Sequence, residues 1–467
     1  MRTRTSLLVA TTLLTSGLTP LALAAPAGAA TAKYAEDFNG DGHRDLALGD
    51  RLATAGGKKQ AGAVVVVWGT TKGLNPAKRT VITQNSPGVE GAAETGDHFG
   101  AKITTADMNK DGYADIVTTS PGEAAGSNRG MFTILWGSRT GISGGSSYAA
   151  PSGKKVSFAL DVAVGDFNAD GRPDVTAVDD EYVWFLRGPF TKSGSRGKAT
   201  NLDPIDGEDI NPLLVVSGKV TKDGTADFAV IGYDVDTRGH RVWFYKGGSG
   251  TPARSKKTGL PASSEMVGSA AVIADFDKNG YGDLAVGVSR SGKGGAVHVL
   301  KGGSTGFGTA KSYSQSTSGV PGVRESDDSF GYDVSAADTD GDGYPDLAVG
   351  VPGEVIGSNV FRTGALTVLR GGSGGITGKG ARLYDYGTTG IEGDPAEEND
   401  AWLGTSVLLR DFDHDGRAEL AATANEAGRL HLLPGTSSGP TGKGSVLLTP
   451  GELGLGARPF FGGALAD

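Results

Sequence analysis

Short apolar stretches recur along the whole chain, and each is followed by a glycine-containing turn and a second apolar stretch. The seven copies of the first stretch are LALG, IVTT, VTAV, FAVI, LAVG, LAVG and LAAT. The copies of the second are GAVVVVWG, GMFTILWG, YVWFLRG, RVWFYKG, GAVHVLKG, GALTVLRG and GRLHLLPG. Stretches that alternate or run apolar over this length are typical of β-strands buried between neighbouring faces. The pattern therefore predicts two buried strands in each of seven repeats.

Two weaker elements flank this pair in each repeat. Before the first stretch, a strand is predicted to open with an aromatic or apolar residue and usually a glycine, at Phe99-Gly100, Phe158-Ala159, Val267-Gly268, Phe330-Gly331 and Leu403-Gly404. After the second stretch comes a more polar strand, as in RTVITQN, KSYSQST and RLYDYGT, which suits a sheet edge. Each repeat is about 62 residues long and so has room for four strands.

A four-stranded unit cannot bury both of its faces alone, so seven such units are expected to pack radially around an axis. The sequence predicts an all-β fold, a seven-bladed β-propeller of four-stranded blades over residues 31–467. The first repeat lacks a strand ahead of Asp37, whereas the chain ends in FFGGALAD. We expect residues 460–467 to supply the missing strand, so that a C-terminal strand closes the ring without leaving a free edge.

Acidic residues alternate in front of the first apolar stretch of most repeats. In residues 338–351, DTDGDGYPDLAVGV, the carboxylates of Asp338, Asp340, Asp342 and Asp346 stand at positions one, three, five and nine. Gly343 at position six permits the sharp turn that brings alternating carboxylates to one centre. The carbonyl of Tyr344 at position seven is a further oxygen. This is the pattern of a cation-binding loop.

Six repeats carry the complete pattern. The other five sets, at positions one, three, five, seven and nine, are Asp37, Asn39, Asp41, His43 and Asp45; Asp107, Asn109, Asp111, Tyr113 and Asp115; Asp166, Asn168, Asp170, Arg172 and Asp174; Asp275, Asp277, Asn279, Tyr281 and Asp283; and Asp411, Asp413, Asp415, Arg417 and Glu419. One such loop would be explained by an Asx turn without metal. Six loops with the same ligand positions favour a cation, and all-oxygen ligands favour Ca²⁺ over Mg²⁺ and exclude Zn²⁺ as the natural ion. We expect up to six calcium ions.

A seventh copy, KVTKDGTADFAVIG, departs from the pattern. It keeps Asp223, Gly224 and Asp227 but has Lys219 and Thr221 at the first two ligand positions. An ammonium group there would occupy the place of the cation or repel it. The sequence predicts that this loop folds without metal.

The first thirty residues differ from the rest of the chain. Arg2 and Arg4 precede an apolar run, and small alanines follow it, which is typical of a secretory signal peptide cleaved after Ala24 or Ala29. A retained membrane anchor is the alternative, but the run is short and contains Pro20. The chain has no cysteine, so a secreted protein of this kind needs another crosslink, and bound cations can serve. No later stretch is apolar enough to cross a membrane, so the mature chain is expected to have no membrane span.

The charge of the chain is acidic, with a formal net charge of −9. Removal of residues 1–30 takes away two arginines and no acids, which leaves −11. Nucleic acid is therefore a poor partner. We expect a monomer.

Together these residues resemble the FG-GAP repeat proteins, the propeller class that includes the N-terminal head of integrin α subunits. The resemblance rests on Phe99-Gly100, Phe330-Gly331 and Phe461-Gly462, on SPGE and VPGE at residues 120–123 and 351–354, and on the acidic loops between them. It implies calcium in the loop that joins the first and second strands of a blade, on the rim opposite the face that meets ligands. Family members include adhesion modules, lectins and non-catalytic domains attached to phospholipases. The chain departs from integrins in its six complete loops, and no leg domains are expected after the propeller.

Candidate catalytic groups are few. Four Gly-x-Ser-x-Gly patterns, at Gly141, Gly302, Gly371 and Gly435, follow third strands and are interpreted as turns rather than nucleophile elbows. Four of the five tryptophans also lie on third strands, where packing explains them. The sequence favours a secreted calcium-binding module for binding or cell adhesion, with a protein or glycan ligand. The alternatives are an extracellular hydrolase or lyase acting on lipid or polysaccharide, and a calcium-dependent lectin.

Overall fold

The computed structural model describes residues 31–125, 128–151, 157–202, 210–261, 270–290, 292–356, 362–393, 400–456 and 463–466. The predicted signal peptide, Val267-Gly268, residues 460–462 and Asp467 lie outside these ranges. All regular structure in the described part is β-strand, arranged in seven four-stranded antiparallel sheets. Among the described residues there is no helix long and apolar enough to span a membrane. The prediction of a seven-bladed all-β propeller is confirmed.

The strands follow the repeats in chain order. Blade 1 contains β1 (Leu46–Asp50), β2 (Ala63–Thr70) and β3 (Gly73–Ile82); blade 2 β4 (Ile103–Ala106), β5 (Asp115–Ala125), β6 (Asn128–Leu135) and β7 (Gly145–Ala149); blade 3 β8 (Asp161–Gly165), β9 (Asp174–Val178), β10 (Val183–Leu186) and β11 (Ala199–Asn201). Blade 4 contains β12 (Ile210–Gly218), β13 (Asp227–Asp234), β14 (Gly239–Lys246) and β15 (Ala253–Gly259); blade 5 β16 (Ala271–Ala274), β17 (Asp283–Val288), β18 (Ala296–Leu300) and β19 (Ala310–Tyr313). Blade 6 contains β20 (Val334–Ala337), β21 (Asp346–Val351), β22 (Ala365–Arg370) and β23 (Thr377–Tyr384); blade 7 β24 (Leu403–Arg410), β25 (Glu419–Ala424), β26 (Arg429–Leu433) and β27 (Val446–Leu448). The last strand, β28 (Gly463–Leu465), belongs to blade 1.

The C-terminal strand closes the ring. β28 pairs antiparallel with β1, and Leu465 lies opposite Leu48. The amide of Ala466 donates to the carbonyl of Ala47 at 3.1 Å. On the other side, the Ser406 hydroxyl of blade 7 donates to the Gly463 carbonyl at 2.6 Å. The predicted closure is therefore confirmed for the part of the tail that the structure describes.

The core lies between blades, as expected for faces that one blade cannot bury alone. One apolar cluster joins Leu46 and Val65 of blade 1 to Leu408 and Leu430 of blade 7. The third-strand tryptophans contribute to this packing, and Trp243 is fully buried. The first strands of the blades surround a central cavity of about 740 Å³.

The Phe-Gly element marks the closest approach of neighbouring blades. Phe99 is fully buried and bridges to Gly62 of the preceding blade. Gly100 has a φ of +87°, and a Cβ there would lie 2.4 Å from the Ala63 carbonyl oxygen. A side chain at this position would therefore push the two blades apart. Blade 3 has Ala159 at the corresponding position, with a φ of 57°.

Candidate metal centres

The acidic loops lie on one rim of the propeller. Each runs into the second strand of its blade, and in blades 2, 3, 5, 6 and 7 it follows the first strand directly. Because the strands alternate in direction, the hairpins between third and fourth strands share this rim. The turns between second and third strands and the connections between blades lie on the opposite face. The acidic loops thus connect first and second strands, as the family resemblance implied.

Position one is held in the same way in all six complete loops. The amide of the position-six glycine donates to its carboxylate at 2.7 to 3.2 Å, as Gly42 does to Asp37 at 2.9 Å. All these glycines have φ between 82° and 91°. The amide at position seven turns back to position five, as His43 does to Asp41 at 3.0 Å. The backbone thus curls around the alternating side chains, as the spacing predicts.

The carboxylate at position nine is buried in five of the six loops and half-buried in blade 7, where it belongs to Glu419. Asp45 accepts hydrogen bonds from the amides of Gly69 at 2.7 Å and Phe38 at 3.0 Å. Burial nevertheless raises the pKa of Asp45 to about 7. Burial likewise raises the pKa of Asp174 and Asp283 to about 6 and that of Glu419 to about 7. The cause is loss of hydration, so a bound cation would favour the ionised form of these groups.

Three loops bring carboxylate oxygens from three residues within 4.8 Å of one another. These groups are Asp275, Asp277 and Asp283; Asp338, Asp340 and Asp342; and Asp411, Asp413 and Glu419. In blade 7, the Asp411 Oδ1 atom is buried and has no hydrogen-bond partner among the described residues. Blades 1, 2 and 3 have asparagine at position three, whereas the three clustered loops have aspartate there. The crowded hard oxygen atoms and the orphaned buried oxygen fit a calcium ion.

The loop of blade 4 has the same turn, but its buried carboxylate is stabilised by hydrogen-bond donors of the protein. Gly224 has a φ of +87°, as in the complete loops. The amide and the hydroxyl of Thr221 donate to Asp227 Oδ2 at 2.8 and 3.0 Å. The ammonium beside Asp223 belongs to Lys246, at 3.2 Å, whereas Lys219, expected from the sequence to stand there, is exposed. Protein donors thus take the place that a cation would have.

Neighbouring loops touch around the rim, which the sequence analysis missed. The residue at position four of one loop meets position seven of the next. Lys222 Nζ lies 4.2 Å from the Tyr281 ring centre, and Lys278 Nζ lies 5.2 Å from that of Tyr344. At the ring closure, the rings of His414 and His43 lie 6.0 Å apart. The sequence did show a basic residue or histidine at position four and an aromatic residue or histidine at position seven. These two positions meet only because the blades that carry them are neighbours in the ring.

Basic residues at the ends of third strands also reach the loops. Lys301 Nζ lies 2.8 Å from Asp277 Oδ2, and Arg187 lies 3.5 Å from Asp170. Arg370 reaches two carboxylates of blade 6. Blades 1, 2 and 7 have Trp68, Trp136 and Pro434 at this position. The repeated endings LRG, YKG, LKG and LRG were the available sequence signal.

The opposite face carries a cleft of about 490 Å³ between blades 5, 6 and 7. Tyr332 and Trp402 line it together with Arg290, Arg362 and Asp327. The Arg362 guanidinium lies 5.3 Å from the Trp402 ring centre. Trp402 is the tryptophan that third-strand packing does not explain. No sequence motif pointed to this cleft, since its residues come from loops of different blades.

The glutamates of the SPGE and VPGE segments have structural contacts. The Gln84 amide donates to Glu123 at 2.5 Å, and Gln315 donates in the same way to Glu354 at 2.5 Å. Burial raises the pKa of Glu354 to about 7. Each pair joins the end of one blade to the turn of the next.

Comparisons with known proteins support the resemblance. The FG-GAP repeat family matches residues 267–300 and 330–369, and the FG-GAP-like repeat matches residues 107–177. Phosphatidylinositol-glycan-specific phospholipase D of Mus musculus is 25% identical over 206 residues, which cover 43% of this chain and 23% of that protein. The Homo sapiens protein is also 25% identical over 206 residues, with the same two coverages. The match thus spans about a quarter of the length of these curated relatives.

Among solved structures, a chain in the crystal structure of BBS1N in complex with ARL6DN, soaked with lead, is similar at 12% identity and a TM-score of 0.42. That alignment covers 83% of this chain and 88% of the other.

The family matches include four of the six complete acidic loops, those of blades 2, 3, 5 and 6. The chain thus contains FG-GAP repeats within seven four-stranded blades closed by the C-terminal strand, a seven-bladed β-propeller as in the N-terminal propeller of integrin α subunits.

Proposed function

We propose that this protein is a secreted, calcium-binding β-propeller that acts as a non-catalytic binding or adhesion module. The observation that carries the proposal is the repeated loop geometry. In six blades, a glycine turn holds the carboxylate at position one, and in three of these blades carboxylate oxygens of three loop residues lie within 4.8 Å of one another. Buried carboxylates with raised pKa values are the groups that a divalent cation would stabilise.

The chain's own residues would hold each ion through positions one, three, five and nine and the carbonyl at position seven. The ion would supply positive charge that the acidic loop lacks, and it would tie together the loop between the first and second strands of the blade. An ion that binds only the folded state stabilises that state by mass action. In a chain without cysteine, this is the crosslink that the sequence leads us to expect.

The ligand would bind on the face opposite the calcium loops, where the cleft between blades 5, 6 and 7 offers Tyr332 and Trp402 beside two arginines. Aromatic rings provide apolar contact area, and the polar side chains around them provide orientation. We propose a protein or glycan ligand, bound by a monomer. The net negative charge disfavours nucleic acid.

Two measurements test this function. Native mass spectrometry should detect up to six calcium ions on the mature chain, and Asp37→Asn should remove one of them. Capture of ligands from the protein's native surroundings with calcium present should weaken in Trp402→Ala. Trp68→Ala is the matched control, because Trp68 is also half-buried but donates to Thr80 within blade 1. Absence of bound calcium in the mature chain would refute the proposal.

Glycan arrays at fixed calcium concentration would distinguish a lectin from a protein adhesin. A second candidate function, an extracellular hydrolase or lyase, is favoured by the similarity to phosphatidylinositol-glycan-specific phospholipase D. The matched segment covers 23% of that relative, so this activity is a proposal for the present chain. Turnover of phosphatidylinositol-glycan or polysaccharide substrates by the purified protein would establish it.

Secretion rests on residues 1–30 and has its own test. The mature protein should be recovered from the culture medium with a new N-terminus after Ala24 or Ala29. Recovery of the intact N-terminus in the membrane fraction would instead indicate the retained anchor.

A further inference from the structure

The calcium loop of blade 6 contains a positively charged side chain of the protein itself. Arg370, the last residue of β22, places Nη1 2.7 Å from Asp346 Oδ2 and 3.1 Å from Asp340 Oδ2. The same nitrogen donates to the Thr339 hydroxyl at 2.9 Å. The two carboxylates are the ligands expected at positions nine and three. The guanidinium therefore occupies lone pairs that a calcium ion would use.

Arg370 is held there from both sides. Its side chain is only 14% exposed, and Nη2 donates to the Ser438 carbonyl of blade 7 at 2.5 Å. The corresponding side chains of blades 5 and 3 are less committed. Lys301 is 57% exposed and contacts one carboxylate, and Arg187 is 38% exposed at 3.5 Å from its partner. Of the described basic residues at the ends of third strands, Arg370 is the one that forms an ion pair with a position-nine carboxylate.

A guanidinium has no lone pair to offer a metal and carries a full positive charge at all relevant pH values. At these distances it repels a divalent cation strongly, because screening by water is weak around a side chain so enclosed. For calcium to reach Asp340 and Asp346 together, Arg370 must leave at least one of them. The two cations therefore compete for one ligand set.

We propose that Arg370 sets the calcium affinity of the blade 6 loop, acting as a resident cation that calcium must displace. This loop is then the last of the six to fill, although its sequence has aspartate at every carboxylate position. Blade 4 is the extreme case, in which calcium is not expected to bind at all. There Lys246 forms an ion pair with Asp223, and the Thr221 hydroxyl donates to Asp227. The inference rests on the proposed calcium function and adds an order of affinity to it.

The direct test is a calcium titration of the full mature chain by calorimetry and native mass spectrometry, with calcium alone as the probe. Arg370→Gln removes the charge and keeps a polar side chain, and it should raise the affinity of the weakest step at least about tenfold. Arg241→Gln is the matched control. It breaks an arginine–aspartate contact of 2.6 Å with Asp234, away from every calcium loop, and should leave all steps unchanged. An affinity that stays the same or falls in Arg370→Gln would overturn the proposal.

A second comparison leaves Arg370 in place and decides the matter if Arg370→Gln does not fold. Asp338→Asn should remove the weakest calcium step and leave the tight steps intact, whereas Asp37→Asn should remove a tight step. Loss of a tight step in Asp338→Asn would refute the role of Arg370. Absence of calcium binding to the unaltered chain would instead refute the proposed function, so the two failures are distinguishable.

Discussion

The loops of blades 1 and 4 have the same backbone turn and opposite ways of accommodating a buried carboxylate. Gly42 and Gly224 have the same φ, +87°. In both blades the glycine after the third strand donates its amide to position nine, at 2.7 Å from Gly69 and 2.9 Å from Gly247. In blade 4, Thr221 adds a hydroxyl and an amide. In blade 1, the residue at the position of Thr221 is Asn39, whose side-chain NH2 group donates to Asp41 at 3.1 Å.

The propeller fold therefore determines the loop conformation, whereas the side chains determine the balance of charge within the loop. Blade 4 adopts the turn with protein donors alone. Blade 1 concentrates acceptors around Asp45, whose pKa burial raises to about 7. The comparison can be tested by removing the cation, by changing pH and by exchanging single atoms.

Chelation should have the largest effect. A site held at a hundredfold excess of calcium over its dissociation constant adds about 2.7 kcal/mol to the free energy of unfolding. Several such sites together would approach the whole stability of a typical domain, about 5 to 15 kcal/mol. We expect excess chelator to lower the melting temperature strongly, as measured by calorimetry. A melting curve that does not move would mean that the six loops, like that of blade 4, are stable without metal.

The pH dependence of that calcium effect should be the next largest. The folded-state pKa of Asp45 and of Glu419, about 7, lies above their ordinary values of 3.8 and 4.5. The metal-free fold therefore holds extra protons, and it loses stability as pH rises from about 4 to 7. Calcium requires the ionised forms, so its stabilising effect should grow over the same range.

The measurement is the difference between the free energies of unfolding with and without calcium, obtained by chemical denaturation at pH 5 and at pH 7.5. We expect a smaller difference at pH 5, by about 1 to 3 kcal/mol for each site. Burial lowers the pKa of His298 and His431 to about 4. Their contributions to stability are the same with and without calcium, so these contributions cancel in the difference. A calcium effect that is equal at both pH values would contradict the assignment of position nine as a ligand.

Substitution of the buried carboxylates should then separate the two blades. Asp45→Asn should cost about 2 to 3 kcal/mol when calcium is present and much less in chelator, because the lost ion is the main effect. Asp227→Asn should cost a similar amount in both conditions, since it weakens charge-assisted hydrogen bonds from Thr221 and Gly247. Chemical denaturation with and without calcium measures both. Equal calcium sensitivity of the two variants would remove the distinction between the blades.

The smallest effect is expected from the Thr221 hydroxyl. Thr221→Val keeps the shape and removes one donor to Asp227, at a cost of about 0.5 to 1.5 kcal/mol, because Asp227 keeps the amide donors of Thr221 and Gly247. The cost should be independent of calcium. Thr225→Val, in the same loop but without a side-chain contact to Asp227 in the described structure, is the matched control. A calcium-dependent cost would indicate that blade 4 also binds the ion.

Much of this molecule followed from the sequence. The alternation of apolar residues indicated the two central strands of every blade, because a strand buried between blades must be apolar on both faces. The tail FFGGALAD indicated the closing strand, which pairs at Gly463–Leu465 as expected. The spacing of Asp338, Asp340 and Asp342 placed three carboxylates in one group. Calcium itself stays a prediction that this geometry supports.

Only the tertiary structure decided what meets those loops. Arg370 lies 24 residues beyond Asp346 in the sequence and reaches it because the third strand returns to the same rim. Lys246, rather than Lys219, stands beside Asp223 for the same reason. Tyr332 and Trp402 share a cleft although loops of different blades carry them. Residue spacing determines contacts within a turn or along a strand, whereas these contacts depend on the packing angle between strands and blades, which the whole ring sets.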